Sequence, residues 1–112
     1  MLKVLIADDE EMSRSVISHI LSSHFKNQLI LLEAENGREA VSIALAEKVN
    51  LVFLDIEMPG LDGIQTGRKI REKNSSCRII METVMIERMK EAFFIEAFRF
   101  IVKPIEQSEV EE

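Results

Sequence analysis

At 112 residues the chain has room for one domain and one core. Apolar residues make up 46% and charged residues 30%, an ordinary globular balance, and six phenylalanines are the only aromatics, so the core is mainly aliphatic. The formal charge of −6 argues against a nucleic-acid surface within these residues, where a basic patch would be expected. Cys77 is the single cysteine, which excludes an internal disulfide and fits a reducing cytoplasm. The opening "MLKVLIADD" is too short an apolar run for a signal sequence or a membrane span. The expectation is a cytoplasmic domain that itself meets neither membrane nor nucleic acid.

The first strand is read at residues 3–8, "KVLIAD", and runs into Asp8 and Asp9. Val16, Ile17, Ile20 and Leu21 then recur as one stripe of a helix. A second strand, "LILLEA" at 29–34, precedes the stripe Ala40, Val41, Ala44 and Leu45. The third, "NLVFLD" at 50–55, closes on Asp55, and "GLDG" leads into a helix carrying Ile64, Gly67 and Ile70. "RIIME" at 78–82 is the fourth strand; Met85, Met89, Ala92 and Phe93 predict a helix before the fifth, "FRFIV" at 98–102. Crossovers of this length suit parallel strands, and apolar runs without alternation suit strands covered on both faces. The fold class is therefore α/β: one domain, residues 1–112, with a doubly wound five-stranded parallel sheet. After Pro104 only "IEQSEVEE" remains, about two helical turns. The last helix is expected to be short or truncated, with an output domain beyond it.

Ligands of open parallel sheets bind at the carboxyl ends of the strands. Asp8 and Asp9 stand there after strand 1, Asp55 after strand 3, Thr83 after strand 4 and Lys103 after strand 5. Crowded carboxylates repel unless a cation intervenes, and oxygen-only ligands suit Mg²⁺. A metal beside a lysine prepares a site for a phosphoryl group, and Asp55 can act as its nucleophile, becoming an aspartyl phosphate. Pro59 stiffens the loop leaving strand 3, while Gly60 and Gly63 permit tight turns. The Glu57 carbonyl would then face the metal, and Asp62 or its neighbour would cap the helix that begins near Gly63.

"LIADDE" at 5–10, "LDIEMPGLDG" at 54–63, "ET" at 82–83 and "FIVKP" at 100–104 together resemble the marks of response-regulator receiver domains, in order and over nearly the whole chain. The resemblance implies a flavodoxin-like fold and phosphorylation of Asp55 by a sensor histidine kinase. Mg²⁺ would bind Asp9, Asp55 and the Glu57 carbonyl, with Asp8 acting through water. Thr83 and Lys103 would hold the phosphoryl oxygens, and Phe100 would take the place of the rotating aromatic switch residue. It implies a phosphoacceptor domain that assists its own phosphorylation and dephosphorylation, not an enzyme in the usual sense. "EAFFIEAFRFIVKPI" is most similar to receivers that precede LytTR-type DNA-binding domains, so transcription control through a missing output domain is expected.

Several residues depart from that pattern. Glu82 replaces a buried aliphatic and, by strand alternation, points away from the Thr83 side, which puts a carboxylate under a helix. Val84 stands where the family prefers Ala or Gly, Met85 where it often has a polar residue, and Phe100 lacks the hydroxyl of Tyr. His19 and His24 read as a partly exposed helix face, and Cys77 as an inert thiol. Met85, Ile86, Met89, Phe93 and Phe94 exceed what a sheet-facing stripe needs, and the surplus predicts a homodimer or partner face on helix 4 and strand 5. Alternatives are a stand-alone receiver in phosphorelay or docking, a degenerate receiver, and a haloacid-dehalogenase-like phosphatase. The last wants a D-x-D after its first strand and a cap, and the sequence has neither.

Overall fold

A computed structural model describes residues 1–83 and 99–102. The expected fourth and last helices, Lys103, and the apolar residues Met85 to Phe94 lie outside the described residues. The described elements are β1 (Leu2–Ala7), α1 (Glu11–His24), β2 (Leu29–Ala34), α2 (Gly37–Glu47), β3 (Leu51–Asp55), α3 (Gly63–Lys73), β4 (Arg78–Thr83) and β5 (Arg99–Val102). All pairings are parallel, in the order β2-β1-β3-β4-β5. The five-stranded doubly wound sheet expected from the sequence is present.

Alternation along the strands divides the interior. Leu5, Ala7, Val52, Leu54, Ile79 and Met81 meet Ala40 and Ala44 of α2 and Ile64 and Ile70 of α3 on one side. Val4, Ile6, Phe53 and Ile80 meet Ile17, Ile20 and Leu21 of α1 on the other. Full burial of each large aliphatic contributes roughly 1.5–3 kcal/mol, so these two layers supply most of the driving force. Val16, expected on the buried stripe of α1, is 41% exposed. At 3.6 residues per turn it lies about 90° from the middle of the Ile17, Ile20 and Leu21 arc.

Local chemistry explains where the helices begin. Asn36 caps α2, its side chain accepting from the Glu39 N–H at 2.8 Å. Asp62 caps α3 as the sequence suggested: it accepts from the Gln65 N–H at 2.9 Å, and Gln65 accepts from the Asp62 N–H at 3.1 Å. This reciprocal box satisfies two N–H groups that the helix start leaves open. Gly60 precedes it with φ +76°, a left-handed turn that costs glycine nothing. β1 ends one residue earlier than expected: the Asp8 N–H still donates to the Ala34 carbonyl at 3.1 Å, but its carboxylate then turns the chain by accepting from the Glu10 N–H at 2.9 Å.

Candidate functional site

The strand order reverses at β1, whose neighbours β2 and β3 wind in opposite directions, and such a switch point opens a crevice at the carboxyl ends. Register runs through Ala7 opposite Leu54, so one further step sets Asp8 beside Asp55. Asp8 is fully buried and Asp55 is 2% exposed. Parity places both on the α1 side, with Ile6 and Phe53.

Each acid is held by its own loop. Asp8 Oδ1 accepts from the Glu10 N–H at 2.9 Å, and the Asp8 carbonyl accepts from Arg14 Nη1 at 2.8 Å. Arg14 also donates through Nε to Glu33 at 3.0 Å, bracing the acidic turn against β2. Asp55 Oδ1 accepts from the Glu57 N–H at 3.2 Å, and the Ile56 N–H donates to the Glu82 carbonyl at 3.0 Å. Both turns follow the same short-range pattern, a carboxylate bonding the N–H two residues on.

The turn after Asp8 gathers a third acid. Carboxylate oxygens of Asp8, Asp9 and Glu10 lie within 4.8 Å of one another, Asp8 buried and the other two exposed. Glu10 is the residue that sequence reasoning passed over, although the run "DDE" carried the signal. Asp55 stands beside this group through strand register. Hard oxygen donors of this kind fit Mg²⁺, which takes few protein ligands and keeps several waters. Half-buried Glu57 sits on the loop that leaves Asp55.

Glu82 is fully buried and is the strand partner of Asp55. The expectation that it lies beneath a helix, away from the Thr83 side, agrees with this burial and with Ile80 packing on the α1 side. Thr83 closes β4 opposite Val102, and Phe100 pairs with Met81. Lys103 follows β5 outside the described residues. The backbone thus carries Asp8, Asp55 and Thr83 to the same edge of the sheet. Far from it, Cys77 is 1% exposed, and burial pushes its thiol up, partly offset by the Arg71 guanidinium.

The family model for the response regulator receiver domain matches residues 4–112. The chemotaxis protein CheY of Halobacterium salinarum is 38% identical over 110 residues, covering 96% of this chain and 89% of its own. The sensory transduction protein LytT of Oceanobacillus iheyensis is 32% identical over 109 residues, 95% of this chain but 44% of LytT. The chain likewise spans 45% and 40% of two further regulators that it matches. Among solved structures, the CheX–CheY–BeF₃–Mg²⁺ complex of Borrelia burgdorferi superposes with a TM-score of 0.87 at 32% identity, covering 98% of this chain and 84% of that one. LytT is thus one of several kinds of relative. Motifs, sheet order and comparisons agree: this chain belongs to the response-regulator receiver family of two-component signalling.

Proposed function

We propose that Asp55 is the phosphoryl acceptor and that a sensor histidine kinase is the donor. The observation that carries this reading is a buried carboxylate ending the third strand, beside the switch point and next to a second buried acid, Asp8. One Asp55 oxygen attacks phosphorus, the bond from phosphorus to the donor imidazole breaks, and its electrons return to the ring nitrogen. The product is an acyl phosphate on Asp55. Asp9, Asp55 and the Glu57 carbonyl would hold Mg²⁺, with Asp8 acting through water. When bound, the ion offsets charge that builds on the phosphoryl oxygens. The Mg²⁺ and BeF₃ named with the Borrelia CheY support that assignment. Thr83 and Lys103 receive the phosphoryl oxygens, and Phe100 follows Thr83 to pass the change on. The domain assists its own phosphorylation and dephosphorylation.

The output is read at the helix 4–strand 5 face, where Ile86, Phe93 and Phe94 are surplus to a core stripe, and a second copy of the chain covers it. Relatives named as transcriptional regulatory proteins, of whose length this chain spans 44%, support a receiver that controls a further, DNA-binding domain, and we place it in the cytoplasm. The test is incubation with acetyl phosphate and Mg²⁺, borohydride trapping and mass spectrometry. Label is expected on Asp55 and is lost in Asp55→Asn; full labelling of that variant would sink the assignment. Sedimentation with beryllofluoride should show tighter self-association that Phe94→Asp weakens, and equal association of both proteins in both states would remove this face as the output.

A further inference from the structure

Two glycines stand behind the acceptor, one against the end of its strand and one against the loop that follows. Gly63, the first residue of α3, stands against the peptide that follows Asp55. A Cβ there would overlap the Asp55 carbonyl oxygen outright, and would lie 2.6 Å from the Ile56 Cα and 2.8 Å from the Asp55 carbonyl carbon. The Gly63 N–H donates to the Ile56 carbonyl at 2.9 Å, so this approach is a bonded seat. Gly37, the first residue of α2, repeats the arrangement one layer out. Its Cβ would overlap the Leu61 carbonyl and the Thr66 hydroxyl and meet the Leu61 Cβ at 3.0 Å. Thr66 is fully buried and donates to that same Leu61 carbonyl at 3.4 Å.

Gly60 is the only described glycine with positive φ, and nothing lies within 4 Å of its would-be Cβ. It supplies a conformation, whereas Gly37 and Gly63 supply room. The atoms they admit are largely backbone, and a planar peptide in a close-packed interior cannot swing aside as a side chain does. The loop from Ile56 to Asp62 is therefore gripped between the start of α2 and the peptide of Asp55. Its Glu57 N–H in turn holds the Asp55 carboxylate.

We propose that Gly63, with Gly37 behind it, is a positioning residue for the acceptor: the two helix starts set where the Asp55 carboxylate stands. This rests on the reading of Asp55 as acceptor. A methyl group at residue 63 forces the Asp55–Ile56 peptide to move by a large fraction of an ångström, and misplacement on the order of 1 Å can cost about 100-fold in rate. A methyl at residue 37 acts through one more layer and costs less.

The experiment compares wild type, Gly63→Ala, Gly37→Ala and Ile17→Val, the last a packing change on the α1 side of the sheet, away from both glycines. Amide ¹H–¹⁵N resonances of Asp55, Ile56 and Glu57 are recorded without metal or donor. Asp55 labelling rates are then taken with acetyl phosphate and Mg²⁺. Gly63→Ala should move those three amides and slow labelling about 100-fold, and Gly37→Ala should do the same about 10-fold. Ile17→Val should melt lower yet label as wild type does. A folded Gly63→Ala that keeps these resonances and the wild-type rate overturns the proposal. Should Gly63→Ala fail to melt cooperatively, Gly37→Ala decides by the same two readouts. Moved amides in a protein whose wild type takes no label would overturn the acceptor reading and leave the seat on Asp55 standing.

Discussion

Asp62→Ala isolates one joint of the loop that leaves Asp55. The substitution removes the oxygen that accepts from the Gln65 N–H at 2.9 Å and keeps the backbone bonds, from the Asp62 N–H to Gln65 at 3.1 Å and from the Thr66 N–H to the Asp62 carbonyl at 2.9 Å. Loss of an aspartate N-cap typically costs about 1 kcal/mol, and these two bonds are exposed. Unfolding entropy of about 2.1 cal/mol/K per residue amounts to roughly 0.24 kcal/mol/K for a chain of this length. The melting temperature should therefore fall by about 4 °C. Asp62→Asn keeps an acceptor oxygen and should recover most of the loss. Thermal melts followed by circular dichroism measure both variants. If Asp62→Ala melts with wild type, or Asp62→Asn falls as far as Asp62→Ala, the cap does not anchor this end of α3.

Millimolar Mg²⁺ should raise the melting temperature of wild type by mass action, about 2.7 kcal/mol at a hundredfold excess over Kd. Asp9→Ala should abolish the rise, and an unchanged shift would strike Asp9 from the ligand set. Cys77 carries the pH prediction. Burial raises its thiol above the ordinary 9.0, against a smaller opposing pull from Arg71. A raised folded value means the unfolded thiol loses its proton first. The associated stability is thus complete below about pH 9 and is lost as pH climbs through the folded value. Cys77→Ala should flatten that alkaline loss, and wild type should react slowly with iodoacetamide at neutral pH. Alkylation as fast as in the denatured chain would refute the burial argument.

The features legible in the sequence were those with a local signature. Apolar runs such as "LVFLD" marked strands buried on both faces, and Asp8 and Asp55 stand at their carboxyl ends, as read. "GLDG" gave the cap at Asp62. Long-range geometry had no such signature. That Gly37 seats against Leu61 and Thr66 depends on how α2 packs against α3, and no motif near Gly37 announces it. Glu10 joined the acids because Asp8 folds back onto the Glu10 N–H, ending the strand a residue early. Glu82 was legible as to its face, by alternation, but its complete burial is a property of the assembled layers. Val16 shows the same limit on a helix: spacing fixes an arc, and the edge of that arc is decided by the neighbours it meets.

Because the sheet separates two apolar compartments, sequence drift can proceed in each with little regard to the other. Among the described residues the buried side chains fall into two separate clusters, and changes at sites without shared partners add. Ile17 and Ile70 should vary as unrelated positions, and α1 could be repacked wholesale while α2 and α3 keep their original fit. β3 alters that independence. Phe53 anchors it in one compartment and Leu54 in the other, immediately before Asp55. A lineage that retunes Asp55 through β3 therefore has to satisfy two separate sets of neighbours at once, as a change in β1 or β4 also would.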